Sequence, residues 1–142
     1  MNYLVDTCVL AELTKPTPNK KVLDWVRGAP EHGLFLSVLS LGEIQNNITR
    51  LSRSKKKKAL QAWIHNDLQR RFQGRILEIT AEIALTWGKV QGNAARQGHI
   101  MPAVDSLIAA TGLVHGLTVA TRNAQDMERS GVKIVNLWVL NE

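Results

Sequence analysis

Five short apolar runs, separated by longer stretches in which apolar residues recur every three or four positions, constrain this chain more than any other feature. Tyr3-Leu4-Val5, Leu34-Phe35-Leu36, Ile76 to Ile79, Leu117 to Thr121 and Val132 to Val135 have the length and composition of strands. Val9, Leu10 and Leu13 predict a first amphipathic helix, and Val22, Leu23 and Val26 a second that ends near Gly28 and Pro30. Leu41, Ile44, Ile48 and Leu51 mark a third from Ser40. Leu60, Trp63, Ile64, Leu68 and Phe72 mark a fourth, and Ile83, Ala84, Trp87, Val90 and Ala94 a fifth. From Pro102 to His115 the chain is apolar nearly all round, which predicts a helix buried on most sides, and a short helix is expected over Asn123 to Arg129. Strands alternating with helices predict a mostly parallel sheet covered on both faces, a three-layer α/β/α fold. The 142 residues suffice for a single domain spanning 1–142.

The first run stops at a carboxylate. Asp6 follows Val5 and precedes the first helix, at the sheet edge where parallel α/β proteins place their ligand crevice. It reads equally as an N-cap of the helix that begins near Thr7. Glu43 is expected in the first turn of the third helix, where Ser40-Leu41-Gly42-Glu43 also matches a capping box. Pro102 suits a first helical position and puts Asp105 in the first turn of the apolar helix, where a carboxylate needs a compensating partner. Asp126, three residues after a candidate N-cap at Asn123, is a fourth acidic candidate, and Thr121 and Asn123 offer neutral oxygens nearby. In a parallel sheet these helix starts gather on one edge. Carboxylates brought close there repel and take up protons unless a cation intervenes, so the pattern points to a hard divalent ion and phosphate chemistry.

The net charge of +6 suits a polyanionic partner. Lys55 to Lys58, with Arg50 and Arg53 before them and Arg70, Arg71 and Arg75 after, is the densest basic stretch, although such a run usually reads as a solvated face. The single cysteine, Cys8, excludes an intramolecular disulfide and a Cys-rich zinc site. No apolar run reaches membrane-spanning length and no signal peptide precedes the first strand, so a cytoplasmic protein is expected.

Five ordered stretches carry a family resemblance. They are Leu4-Val5-Asp6-Thr7-Cys8-Val9-Leu10, Leu36 to Ile44 ending in Gly42-Glu43-Ile44, Gly74-Arg75-Ile76-Leu77, Pro102 to Thr111 around Asp105, and Thr118 to Asp126. Together they cover nearly the whole chain, which resembles the PIN-domain ribonucleases and, within them, VapC and FitB type toxins of toxin–antitoxin pairs. The resemblance implies an endoribonuclease dependent on Mg2+ or Mn2+ that hydrolyses phosphodiesters with metal-activated water. It implies Asp6, Glu43 and Asp105 as acidic ligands, with the fourth position at either Asn123 or Asp126. It also implies a cognate antitoxin with an apolar segment in a groove and a basic side chain over the acids, and a toxin homodimer. Cys8 stands where Asn is usual, and Gln45-Asn46-Asn47 lacks a glycine often found there.

Two other functional classes meet the residues less well. A haloacid dehalogenase type phosphotransferase usually needs D-x-D after the first strand, and Cys8 occupies the second position. An inactive PIN-like module that binds RNA or a protein partner keeps the fold without the chemistry. Cys8 has no His near it in sequence to activate a nucleophile, and His32, His65, His99 and His115 show no metal spacing.

Overall fold

The computed structural model describes residues 1–140. Strand β1 (Tyr3–Val5) runs directly into helix α1 (Thr7–Leu13), and α2 (Lys20–Gly28) follows the Pro16 to Asn19 breaker, capped by Asn19 Oδ1 accepting from the Lys21 and Val22 amides. A 3-10 turn (Glu31–Gly33) leads to β2 (Leu34–Ser37) and α3 (Val38–Thr49). Next come α4 (Lys55–Ala62), a π-helical turn (Trp63–Leu68) and α5 (Gln69–Arg71), which together carry the Leu60 to Phe72 stripe. The chain continues through β3 (Ile76–Leu77), α6 (Ala81–Arg96), α7 (Ala103–His115), β4 (Thr118–Ala120), α8 (Ala124–Glu128) and β5 (Ile134–Val135). Gly116, in the left-handed region at φ 65°, ends α7 and turns the chain into β4.

The five strands form one sheet in the order β3-β2-β1-β4-β5, and every pairing is parallel. The chain builds outward from β1 to β3, then crosses to the other side of β1 for β4 and β5. A switch point therefore lies between β1 and β4, where the connections diverge and leave a crevice beyond the carboxyl ends of the strands.

Side-chain alternation sorts the core into two layers. Val5, Leu34, Leu36 and Ala120 face one side with Val9, Leu10, Val22, Ile44 and Ile48 from the first three helices, Ile64 from the π turn and Phe72 just after α5. Leu4, Phe35, Leu77 and Val119 face the other, against Ile108 and Ala109 of α7 and Met127 of α8. Period-two patterning alone thus generates the expected α/β/α layers. Helix α6 packs outside α7, through Val90 and Ala94 against Met101 and Leu113. Among the described residues, no helix is long and apolar enough to cross a membrane.

Several boundaries differ from expectation. The outer strands β3 and β5 are two residues each, the length over which they pair with Leu36–Ser37 of β2 and Val119–Ala120 of β4. Helix α3 starts at Val38, ahead of Ser40, because Ser37 Oγ caps it by accepting from the Leu39 amide. Pro102 occupies the N-cap position rather than the first helical one. Leu51 falls beyond the end of α3 and is exposed, and Ala84 is exposed on α6, so neither belongs to its expected stripe.

One close approach is measurable. A Cβ at Gly112 on α7 would lie 2.9 Å from Val132 Cγ2 and 3.0 Å from Val119 Cγ2. Gly112→Ala should therefore destabilise the protein by about 1–3 kcal/mol through overpacking, outweighing a helix-propensity gain of about 1 kcal/mol. A denaturant titration showing a stabilised variant would contradict that packing.

Candidate active site

Asp6 sits at the end of β1 with its carboxylate buried, 2% exposed. Its Oδ1 accepts from the Thr7 amide at 2.8 Å, and its Oδ2 accepts from the Thr121 hydroxyl at 2.7 Å. Asp6 is thus the N-cap of α1, but it satisfies only the adjacent amide, not the second or third amide that a capping carboxylate usually takes. Thr121 is fully buried just after β4, and its Oγ1 also accepts from the Asn123 amide at 2.9 Å. Parallel pairing of Val5 with Ala120 sets these two residues side by side across the switch point.

Glu43 enters from α3. Its Oε1 accepts from the Thr7 hydroxyl at 2.5 Å, and that hydroxyl lies 3.0 Å from Ser40 Oγ. The capping-box reading fails here. With Ser37 as the cap, Ser40 is inside the helix and Glu43 belongs to its second turn, facing α1.

Asp105 lies in the first turn of α7, as the sequence predicts. Because α7 leads back to the start of β4, its own N-terminus lies at the carboxyl edge of the sheet. Buried Ser106 fixes that turn: its Oγ accepts from Trp87 Nε1 at 2.9 Å and Gln91 Nε2 at 2.8 Å, and bonds back to the Pro102 and Ala103 carbonyls. The Asp105 carboxylate itself has no hydrogen-bond partner among the described residues. Asp126 occupies the first turn of α8 and is exposed. Asn123 holds the N-cap position of α8, yet its side chain makes no cap bond.

Electrostatics tie these groups together. Burial raises the Asp6 carboxyl against the lowering effect of its Thr121, Thr7 and Cys8 contacts. Burial likewise raises Glu43, opposed by Thr7 and reinforced by the charge of Asp6. Asp105 is pushed up to about 6, first by burial and then by the charges of Asp6, Glu43 and Asp126. Among the described residues none of the four is ion-paired with Lys or Arg. Buried Glu12 shows the contrast. It accepts from Lys15 Nζ and from the Asn19 amide, both at 2.9 Å, and is held below the usual carboxylate range. A structural acid in this protein has its own cation; the cluster has none.

The carboxylates sense one another without closing on a common point, and among the described residues no three His, Cys, Asp or Glu side chains form a ready-made metal cage. A hard ion that binds one or two carboxylates directly and the rest through water fits such a set, so the donor chemistry suits Mg2+ or Mn2+. Cys8 Sγ lies 3.7 Å from Asp6 Oδ2, and burial together with the Asp6 charge pushes its thiol up to about 11. A thiol raised in this way is a poor nucleophile at neutral pH.

Two positioning hydrogen bonds escaped sequence reasoning, Thr121 to Asp6 and Thr7 to Glu43, although Thr7 and Thr121 both adjoin the acids' own motifs. Two arginines in the expected basic set serve the fold instead. Arg71 pairs with Glu31 at 2.9 Å, and Arg75 Nη1 donates to the Leu34 carbonyl at 2.6 Å while Nη2 pairs with Glu31.

Comparison with known proteins finds relatives of this chain. Residues 3–131 match the PIN domain family. The chain is 31% identical to the toxin FitB of Neisseria gonorrhoeae over 135 residues, covering 95% of this chain and 97% of that protein. It is 27% identical to the VapC ribonuclease Y4jK of Sinorhizobium fredii, covering 95% and 96%. The crystal structure of FitAcB from Neisseria gonorrhoeae superposes with a TM-score of 0.92 at 31% identity, covering 97% of this chain and 99% of that one.

Proposed function

Because this chain belongs to the PIN-domain family, we propose that it is a divalent-metal-dependent endoribonuclease, the toxin of a type II toxin–antitoxin pair, acting as a single PIN domain over 1–142. One observation carries the reading: four carboxylates share the carboxyl edge of the sheet with no protein cation among the described residues to neutralise them, and Asp105 is pushed up to about 6 by burial first and by the charges of the other three second. The ribonuclease named among the relatives supports the reaction class.

In this reading Asp6 and Asp105 hold Mg2+ or Mn2+, Glu43 joins them or orients water, and Asp126 or Asn123 completes the site. The bound ion supplies Lewis acidity toward a phosphodiester and toward water. The remaining work belongs to the chain. Thr121 aims the Asp6 carboxylate and favours its ionised form, and Thr7 does the same for Glu43. Glu43, whose carboxyl burial raises, is suited to take a proton from the attacking water as the water oxygen bonds to phosphorus and the bond to the leaving ribose oxygen breaks, that oxygen taking its proton from solvent. The open acidic edge also suits a basic side chain of a cognate antitoxin as an inhibitor. A homodimer and a cytoplasmic setting complete the proposal.

The test is a mixed RNA pool incubated with protein freed of antitoxin. Fragments that form with Mg2+ or Mn2+ and not with EDTA support the nuclease. Intact RNA under every condition favours an inactive PIN-like module that binds RNA or a protein partner.

Thr121 provides a finer prediction. Thr121→Val removes the donor to Asp6, so the rate should fall roughly 10–100-fold, as for other losses of support behind a metal ligand. Since that bond lowers the Asp6 carboxyl, the acid limb of the pH–rate profile should move to higher pH. Thr121→Ser should restore both. An unshifted profile in a folded Val variant would remove Thr121 from the site.

A further inference from the structure

From Ile44 to Asn66 the chain contains no Asp or Glu, while Arg50, Arg53 and Lys55 to Lys58 fall within it. None of these cations is ion-paired among the described residues, and all except Lys57 are exposed. Lys57 is half-buried and holds the turn together, its Nζ donating to the Thr49 and Leu51 carbonyls at 3.2 and 2.9 Å. Ser54 Oγ caps α4 by accepting from the Lys57 amide. Around this turn lies an open recess of about 570 Å3, lined by Arg53, Ser54, Lys55, Lys57, Lys58 and Gln61. Cations crowd a helix start whose dipole already repels them. An anion there would relieve both repulsions.

The recess borders the helix that carries Glu43, through Gln61 in its lining. Gln45 and Gln61 exchange two amide hydrogen bonds, at 2.8 and 2.7 Å, and fasten α4 to α3 beside Glu43. At 100° per residue, Glu43, Asn46, Asn47 and Arg50 share one side of α3, and the last three are exposed. With a rise of about 1.5 Å per residue, Arg50 lies roughly 10 Å along the axis from Glu43. One helix face thus passes from the acids, over two neutral amides, to the cations. With a divalent ion at the acids, as the nuclease reading requires, a chain of phosphates meets positive charge at both ends of that face, whereas an acidic peptide would have no phosphodiester to present there.

We propose that Arg50, Arg53, Lys55, Lys56 and Lys58 form a phosphate-binding track that holds single-stranded RNA leading away from the carboxylate site along α3. This rests on the nuclease reading for the identity of the substrate. The track supplies affinity outside the cutting site, and the recess takes a backbone phosphate.

The test uses the full chain with Arg53→Gln, Lys55→Gln, Lys56→Gln and Lys58→Gln combined; Lys57 is kept because it supports the turn. Binding of a single-stranded 20-mer RNA is measured in EDTA from low to high salt, with melting curves to verify folding. The affinity should fall about tenfold or more near 0.1 M salt, with the salt slope shallower by about 0.7 for each phosphate no longer neutralised. Cleavage of a tetranucleotide that spans only the carboxylate site should keep its kcat. Unchanged affinity and slope would overturn the track. So would loss of polyglutamate binding with RNA binding intact, which would assign the patch to an acidic protein. Because binding is read in EDTA, a protein that cuts nothing yet loses RNA affinity in the variant would defeat the nuclease reading and keep the track.

Discussion

Asp6→Asn and Asp105→Asn should each lower RNA cleavage at saturating Mg2+ by about a hundredfold or more, the loss expected when several kcal/mol of charge stabilisation leaves a metal-dependent site. The substitutions are nearly isosteric, and they remove negative charge from a cluster that has too much. Folding should therefore survive, and the Asp105 variant should melt no lower than wild type at neutral pH. Single-turnover cleavage with melting curves checks both. A folded Asp105→Asn protein with wild-type activity would take Asp105 out of the chemistry.

The second large effect is on stability, and its sign is opposite to that of an ordinary salt-bridged acid. The Asp105 carboxyl is raised from 3.8 to about 6. Between those values the folded state binds more protons than the unfolded one, so this stability is present at low pH and is lost as pH rises through about 6. Glu12 and Glu31 are lowered, and their contribution fades only below their usual range, so a scan from pH 5 to 7.5 isolates the cluster. Across that window the linkage is at most about 1.4 kcal/mol, and with solvent screening on its exposed side Asp105 should cost roughly 0.5–1 kcal/mol, or about 1–4 °C in melting temperature. Asp105→Asn should flatten the slope, and millimolar Mg2+ or Mn2+ should reverse it. Activity should run the other way, rising with pH as the carboxylates ionise. A melting temperature that climbs from pH 5 to 7.5 without metal, in step with the Asp105→Asn variant, would show that the acids are not strained.

Much of this site was legible in the order of residue types. A strand that stops at Asp6, and a Pro followed by an acid inside an apolar helix at Asp105, each carry a local signature that survives folding. Glu43 was legible as an acid near a helix start but not as to its role. Ser37 and Ser40 both offer a capping hydroxyl before apolar residues, and only the end of β2 decides between them. Thr121 was harder still. Its partner Asp6 is 115 positions away, and parallel pairing of β1 with β4 creates the hydrogen bond, which no local pattern records. Arg71 and Arg75 looked like the lysines in sequence. They differ because Glu31, from another segment, reaches them, whereas no acid reaches Lys55, Lys56 or Lys58 among the described residues. The basic run thus gains meaning only once its neighbours are known.

The central claim is that the carboxylate edge holds a divalent ion, and Mn2+ binding tests it without reference to any substrate. Titrated into wild-type protein and followed by electron paramagnetic resonance, Mn2+ should lose free signal as it binds, and Mg2+ should compete it off. Asp6→Asn and Asp105→Asn should each weaken that binding about tenfold or more. Equal Mn2+ binding by wild type and both folded variants, or none by wild type, would contradict the account and leave Asp6 a helix cap.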